Sequence, residues 1–332
     1  MSLKVVGCCN GLLCLTSYSP GNNYTKYYAI VNPSIGSILS DISFSTKMYN
    51  VTCSGFGYHT LNKDYKLVVV EYQYHHEPPN LIAIHRKVHV FSMKSNSWRC
   101  IETTYLGGSP LIIDSNMCIP IPSSSCALID NYLMHWLLKS SAGNWSLVCF
   151  NLDKERWVAD IRLPDFNYYD GDIGCDVDLG VLDGCLCFSV QSYYDKFNVW
   201  IMKEYGVHGS WTKFFIDIPD YCDYYPIFAR QHTTIKEILL AKCRSYKRGI
   251  RTYVWYNIRD KTAKELRFIG APHELGADLL CIGSLANCFE DCQTKKCKGT
   301  QKRMETQDNM KIDDQVKILQ ANMSNNNNVI RS

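Results

Sequence analysis

The feature of this sequence that most limits its fold is a repeat of short strand-like segments. A segment rich in small residues or glycine comes first, followed by an apolar segment, a loop and a third segment that alternates aromatic and apolar residues. A tight polar turn then leads to a fourth segment, which usually begins at Trp. The turn-to-strand points are Gly36, Trp98, Trp157, Trp211 and Lys264, roughly 50 to 60 residues apart. The repeat predicts units of four antiparallel strands.

The clearest unit has its four segments at Cys53–Tyr58, Tyr65–Tyr72, Lys87–Met93 and Trp98–Glu102. A single sheet of this kind would leave both of its faces exposed to solvent, so consecutive units must stack about an axis. We therefore predict an all-β fold, a kelch-like β-propeller of about five four-stranded blades. The other units read, in chain order, VVGCC, GLLCL, YYAIV and SILSDI; CALI, YLMHWLLK, WSLVCFNL and RWVADIRL; LGVL, CLCFSV, FNVWIM and SWTKFFID; and PIFA, EILLAK, IRTYVWYNI and AKELRFI.

The C-terminal part divides in two. The apolar string ADLLCIGSL at Ala277–Leu285 is expected to return to the N-terminal blade as a closing strand, so the propeller domain is predicted to span residues 1–286. Residues 287–332 are polar and poor in aromatic side chains, which is typical of a disordered tail.

Composition narrows the class of partner. The 46% hydrophobic fraction supports a core, and the net charge of +3 is too small to predict binding to nucleic acid. No apolar stretch is long enough to cross a membrane, and the N-terminus lacks a signal-peptide pattern, so we expect the cytosol or nucleus. In that reducing compartment the 17 cysteines are interpreted as small buried apolar residues. With nucleic acid and membrane disfavoured, we expect the partner to be a protein or a small ligand.

The meander also predicts which surface binds a partner, because its connections alternate between the two ends of the propeller. One end, the short-turn end, carries turns such as Leu61–Lys63, Asp130-Asn131 and Asp183-Gly184. The other end, the long-loop rim, carries long aromatic and charged connections, and exposed Tyr and Arg on a rigid scaffold favour binding. The alternative is that each tyrosine packs onto the blade beneath it. The predicted rim connections are 73–86, 165–178, 192–196, 217–226 and 245–249, and their partner-binding residues are Tyr74, His75, His76, Glu77, Tyr168, Tyr169, Asp170, Asp172, Tyr193, Tyr194, Asp195, Tyr224, Tyr225, Tyr246, Lys247 and Arg248.

Catalytic and metal motifs are weak, so we predict no enzyme activity, no cofactor and no metal site. The acidic run around Asp176 lacks the spacing and terminal Glu of a calcium loop. His75 and His76 would point to opposite faces of a strand, and Cys288, Cys292 and Cys297 lack the paired spacing of a zinc site. A propeller enzyme would need metal ligands or carboxylates converging at the axis. Trp98, Trp157 and Trp211 are interpreted as packing between blades.

Several strings resemble a known family, the F-box-associated interaction domain of plant F-box proteins, in its S-locus F-box and S-locus F-box-like branch. The likeness covers roughly residues 5–285. The matching strings are CCNGLLCL at Cys8–Leu15, VNPSIG at Val31–Gly36, GFGYHTLNKDYKLV at Gly55–Val68, VFSMKSNSWR at Val90–Arg99, LGVLDGCLCF at Leu179–Phe188 and VWIMKEYGVHGSWTKFF at Val199–Phe215.

This resemblance implies a substrate receptor of an SCF-type ubiquitin ligase that holds a protein target for ubiquitination. Family members place an F-box ahead of the first strand, and it binds a Skp-type adaptor and through it a cullin. This chain starts almost at that strand, so joining a ligase requires an upstream F-box. The alternative is a truncated binding or decoy protein that never joins a ligase. The S-locus branch implies a secreted style ribonuclease as target, although targets differ within the branch.

Overall fold

The computed structural model describes twelve stretches of the chain, and they form five antiparallel sheets. Four sheets have four strands each, in sequence order, and the third has a short additional strand. We call the sheets blades 1 to 5 in chain order. The structure describes residues 4–18, 25–45, 51–77, 81–102, 118–120, 126–140, 145–164, 176–191, 197–218, 223–230, 237–243 and 251–266.

Each blade is a meander of consecutive hairpins, as the repeat predicts. The additional strand, β9, pairs with β11 and was not expected from the sequence. The strands are β1 Lys4–Cys9, β2 Leu12–Tyr18, β3 Thr25–Asn32 and β4 Ser37–Ser45 in blade 1; β5 Val51–His59, β6 Asp64–Glu77, β7 Leu81–Ser92 and β8 Ser97–Glu102 in blade 2; β9 Cys118–Pro120, β10 Ala127–Ile129, β11 Leu133–Ser140, β12 Trp145–Asn151 and β13 Arg156–Ile161 in blade 3; β14 Asp176–Leu182, β15 Cys185–Gln191, β16 Phe197–Met202 and β17 Trp211–Ile216 in blade 4; and β18 Asp223–Arg230, β19 Glu237–Cys243, β20 Arg251–Asn257 and β21 Thr262–Leu266 in blade 5.

Tight turns at the short-turn end explain why the strands pair in these registers. Asn10-Gly11, Asp130-Asn131 and Asp183-Gly184 each have positive φ at both positions, as two-residue type I′ hairpins require. Asn, Asp and Gly adopt this conformation at low cost, and its twist matches the twist of the flanking strands. These dipeptides therefore set the first hairpin of blades 1, 3 and 4.

Most of the apolar core lies between blades, and one smaller cluster lies within blade 1. Separate clusters of buried side chains join blade 1 to blade 2, blade 2 to blade 3, blade 3 to blade 4, and blade 4 to blade 5. The first strands of successive blades also contact one another, β1 with β5, β5 with β10, β10 with β14, and β14 with β18. Blades that share cores in chain order about their innermost strands form a β-propeller, which confirms the predicted fold class.

The repeated tryptophans lie at these junctions, as the sequence indicated. The indole nitrogen of Trp98 donates to the Ser43 carbonyl of the preceding blade at 3.2 Å, and that of Trp211 donates to the Arg162 carbonyl at 3.1 Å. Trp157 belongs to the cluster between blades 2 and 3. Each Trp therefore tethers the fourth strand of its blade to the blade before it.

Blade 2 approaches blade 3 so closely that two positions in β5 exclude a side chain. A Cβ on Gly55 would lie 2.8 Å from the Cys126 sulfur and 2.9 Å from the Trp136 ring. A Cβ on Gly57 would lie 2.7 Å from the Asn131 carbonyl oxygen. Glycine at these positions lets the first strand of blade 2 lie against blade 3.

Two sequence predictions about loops are wrong, and both concern strands that run further than expected. Gln73–Glu77 and Leu81–Arg86 belong to β6 and β7, because aromatic, histidine and β-branched residues, which favour strands, continue through both segments. Tyr224 was predicted to lie in the rim connection 217–226 but lies in β18, since the strand pattern begins before Pro226. The predicted closing strand at Ala277–Leu285 and the predicted tail at 287–332 lie outside the described residues.

Candidate functional site

Most of the predicted rim residues fall outside the described residues. This holds for Tyr168, Tyr169, Asp170, Asp172, Tyr193, Tyr194, Asp195, Tyr246, Lys247 and Arg248. The other six all lie in strands, and five of them, Tyr74, His75, His76, Glu77 and Tyr225, are described only by their backbone. The rim therefore stays a prediction, with one of its parts changed from a loop to a hairpin.

Tyr224 is not a surface residue. Its side chain is 4% exposed and belongs to the cluster between blades 4 and 5, with its ring centroid 6.1 Å from that of Phe197. For this tyrosine the alternative of packing onto the blade is the correct one. Its backbone N–H donates to the Gln191 side chain at 2.8 Å, which ties β18 to β15.

The short-turn end is held together by contacts between blades. The Asn131 carbonyl accepts the backbone N–H of Tyr58 in blade 2 at 2.8 Å, and its side-chain amide donates to Asn10 of blade 1 at 3.1 Å. The Asn131 side-chain oxygen also lies 3.5 Å from the Cys9 sulfur. One turn of blade 3 therefore bonds both preceding blades near the propeller axis.

Blades 2 and 3 are further joined by charged side chains at this end. The Thr60 backbone N–H donates to Asp153 at 2.8 Å, and the Thr60 hydroxyl donates to the same carboxylate. Lys66 lies 2.9 Å from Glu155, which also pairs with Arg99. Burial lowers the pKa of Lys66, and the neighbouring Arg99 lowers it further. Glu155 therefore offsets the repulsion between two cations.

A turn of blade 4 folds onto blade 3 in the same way. The Tyr205 hydroxyl lies 2.7 Å from His135 Nε2 and 3.4 Å from the Cys149 sulfur. His135 is fully buried, and its Nδ1 lies 3.0 Å from the Ala127 carbonyl. Burial lowers the pKa of His135 to about 4, so the ring is neutral, with Nδ1–H donating to Ala127 and Nε2 accepting from Tyr205. The short-turn end is therefore engaged in holding blades together.

The described residues hold no cluster of three or more His, Cys, Asp or Glu side chains that could bind a metal. Burial raises the pKa of the thiols of Cys14, Cys126 and Cys187, and raises that of Cys9 to about 12. A protonated thiol is a poor nucleophile and a poor metal ligand. Within the described part of the chain, no helix has the length and apolar character needed to span a bilayer.

Sequence reasoning missed two features that bear on function. The first is the continuation of β6 and β7 into a long hairpin, and the string Leu81–His85 carried the signal, since it is a strand-like run directly ahead of the predicted third strand. The second is the bonding of Asn131 to two other blades. Its Asp-Asn turn was predicted, but no local pattern reveals which distant turns it contacts.

Comparisons with known proteins agree with this architecture. Residues 1–284 match the family described as the F-box associated β-propeller domain, which includes every described strand. Among curated proteins, the chain is 27% identical over 327 residues to the F-box protein CPR1 of Arabidopsis thaliana, covering 92% of this chain and 73% of that protein. It is 26% identical over 230 residues to the Arabidopsis F-box/kelch-repeat protein At3g23880, covering 67% of this chain and 54% of that protein.

Likeness to solved structures is more distant. The β-propeller domain of the Trilobed protease from Pyrococcus furiosus has a TM-score of 0.38 and 10% identity, over 77% of this chain and 70% of that one. The WD40 domain of SCAP from fission yeast has a TM-score of 0.32 and 11% identity, over 79% of this chain and 75% of that one. With consecutive four-stranded blades and a family match over residues 1–284, the chain belongs to the F-box associated β-propeller family.

Proposed function

We propose that this chain is the target-recognition module of an SCF-type ubiquitin ligase. The observation that carries this proposal is the family match, which takes in all five blades, together with relatives that are themselves named F-box proteins. In such an assembly the chain contributes proximity rather than catalysis, because a rigid propeller holds a protein target near a conjugating enzyme. A Skp-type adaptor and a cullin would join through an F-box.

The long-loop rim is the surface we propose for target binding. At the short-turn end Asn131, Asp153, Glu155 and Tyr205 already bond neighbouring blades. Replacing these contacts by contacts to a partner would weaken the propeller itself. The rim carries the longer connections and the protruding hairpin of blade 2, so a target that binds this hairpin leaves the contacts of the short-turn end in place.

The S-locus resemblance suggests a class of target to test first. We propose a secreted style ribonuclease as one candidate ligand, to be tried beside proteins captured from the native tissue. The charge of the chain does not decide the matter, since +3 is small for 332 residues.

Target turnover tests the ligase role. The 332-residue chain is fused behind the F-box of a characterised receptor and expressed in plant cells, and proteins that co-purify with it are followed by pulse-chase. We expect at least one of them to have a shorter half-life with the fusion than with the chain alone, and a proteasome inhibitor to restore it. Captured proteins whose half-life never changes would identify a binding or decoy protein instead.

Paired substitutions test the choice of surface. Leu61, which is 78% exposed, and Lys63 lie in one turn at the short-turn end. Their replacement by Ala should leave capture of the target unchanged, whereas replacement of Tyr74 and Glu77 by Ala should reduce it. The opposite pattern would place the binding surface at the short-turn end.

A further inference from the structure

The hairpin of β6 and β7 extends beyond the rest of blade 2. The pairing of β5 with β6 ends at Val51 and Tyr72, and the pairing of β7 with β8 ends at Lys87 and Glu102. The pairing of β6 with β7 continues for five further pairs, from Gln73 and His85 to Glu77 and Leu81. At about 3.4 Å per residue this projection is about 17 Å long. We call Gln73–Glu77 and Leu81–His85 the β6–β7 ribbon.

The ribbon projects at the long-loop rim. The turn between β5 and β6 belongs to the short-turn end, so β6 runs away from that end and its last residues lie at the opposite one. Among the described strands, none pairs with either arm of the ribbon on its outer side. Each arm therefore presents a row of backbone N–H and C=O groups that can accept another strand.

One arm lacks the charge that is found in the fourth, outermost strand of every blade. The outermost strand of every blade contains at least one charged residue, which is a common defence against unwanted strand pairing. Leu81–His85 contains no Asp, Glu, Lys or Arg. The charged residues of the outermost strands are Asp41 in β4, Arg99 and Glu102 in β8, Arg156 and Asp160 in β13, Lys213 in β17, and Lys264 and Glu265 in β21.

The register also gives the ribbon two different faces. Tyr74 pairs with Ile84, and His76 pairs with Ile82, so these four positions share one face. The other face holds Gln73, His75 and Glu77 with their partners His85, Ala83 and Leu81. A strand added to the β7 arm would extend both faces, and the isoleucine positions favour apolar residues at alternate positions of the added strand.

We propose that the outer edge of Leu81–His85 binds an extended, uncharged segment of the target protein as an additional antiparallel strand of the ribbon. This inference rests on the proposed function and names the chemistry of the partner. Backbone hydrogen bonds would supply the affinity, and the face with Ile82 and Ile84 would select apolar residues in the target. The absence of charge on the arm favours an uncharged strand as the partner.

Binding of designed peptides to the full chain tests the proposal. The probe is a fluorescent eight-residue peptide of alternating Val and Thr, compared with one that has Lys at the Thr positions and one interrupted by Pro. We expect only the uncharged, uninterrupted peptide to raise the anisotropy. Hydrogen exchange should then show new protection at residues 81–85 and none at the charged edge strand Thr262–Leu266.

Charge on the arm should weaken binding of the peptide. In the double variant Ile82→Lys, Ile84→Lys, the affinity for the peptide is expected to fall by about tenfold or more, equivalent to about 1.4 kcal/mol. The matched control carries two lysines on the exposed edge strand of blade 5, Thr262→Lys and Ala263→Lys, and should keep its affinity within about twofold. Both variants must retain the wild-type melting temperature, so that loss of binding does not report unfolding.

Several results would overturn the proposal. These are binding of the charged peptide, an unchanged affinity in the Ile82 and Ile84 variant, or a wild-type dimer in which residues 81–85 are protected without peptide. If the peptide experiment fails, the result of the target-turnover experiment still stands, because a target can be held for turnover by a contact elsewhere on the rim. Conversely, peptide binding with no change in target half-life would support the ribbon and overturn the ligase role.

Discussion

The side-chain amide of Asn131 in blade 3 donates a 3.1 Å hydrogen bond to the side-chain oxygen of Asn10 in blade 1. The two residues are 121 positions apart in sequence, and both have positive φ in two-residue turns. Because the Asn131 carbonyl also accepts the Tyr58 N–H, the first turns of three blades meet in one set of bonds. This contact fixes the spacing of the blades at the end opposite the rim.

Removing the Asn131 side chain should loosen the first three blades. Asn131→Gly keeps the positive φ without strain and deletes the bond to Asn10, so we expect a loss of about 1 kcal/mol in the free energy of unfolding, measured with urea. The control is Asn96→Gly, at an exposed turn position with φ 49. An equal loss in both variants would show that the backbone, and not the bond, is responsible.

A methyl group on β5 should strain the junction of blades 2 and 3. Gly55→Ala places its Cβ 2.8 Å from the Cys126 sulfur, and Gly57→Ala places it 2.7 Å from a backbone oxygen. We expect each to cost about 1–3 kcal/mol of stability, with the larger loss at Gly57 because backbone yields less than a side chain. Gly180→Ala in β14 has no atom within 4 Å of its Cβ and should be nearly neutral in the same thermal melts.

The indole N–H groups of Trp98 and Trp211 should contribute to stability in addition to the packing of their rings. Trp98→Phe and Trp211→Phe keep an aromatic ring but leave the Ser43 and Arg162 carbonyls without their indole donors. We expect a loss of about 0.5–1.5 kcal/mol in each case, and additive losses in the double variant because the two sites lie at different junctions. A double variant that departs from additivity by more than about 1 kcal/mol would contradict independent junctions.

Acid should destabilise the contact between Tyr205 and His135. The pKa of His135 is about 4 in the folded chain and about 6.5 when unfolded, so the unfolded chain binds the proton first. Stability from this residue is therefore complete above about pH 7 and falls by about 3 kcal/mol on descending to pH 4. His135→Gln should flatten the pH dependence of the urea midpoint over this interval, and an unchanged slope would contradict the assignment.

Thiol labelling checks which cysteines lie in the junctions. Cys100 is exposed, whereas Cys14, Cys126 and Cys187 are buried and carry raised pKa values. Brief iodoacetamide treatment of the native chain at pH 8, read by peptide mass spectrometry, should label Cys100 and spare the other three until urea is added. Rapid native labelling of Cys126 would show that the junction of blades 2 and 3 opens easily.

The sequence predicts the propeller well because the residues that define each hairpin are close together in sequence. The turns at Asn10-Gly11, Asp130-Asn131 and Asp183-Gly184 demand positive φ, and the strands between them alternate in character, so each hairpin can be read without knowing its neighbours. The interblade role of Trp98, Trp157 and Trp211 also follows from the repeat. A residue that recurs at the same position in three units is expected to serve a contact that these units share.

The site is harder to predict because it depends on lengths and long-range contacts. Residues 73–86 were predicted to be a loop, yet strand pairing continues from Gln73 to Glu77 and from Leu81 to Arg86. Tyr224 was assigned to the rim because it lies in the predicted connection 217–226, but its burial depends on Phe197 from a different blade. Neither outcome can be inferred from a window of neighbouring residues.

The bond between Asn10 and Asn131 also constrains how the molecule is made. Each blade is continuous in sequence, so its hairpins can form while later residues are still being synthesised. At about 5–20 residues per second, however, the ribosome needs about 6–24 s to pass from the first partner to the second. During that interval the first blade can pack against the second, but its turn at Asn10 still lacks the partner that joins it to the third.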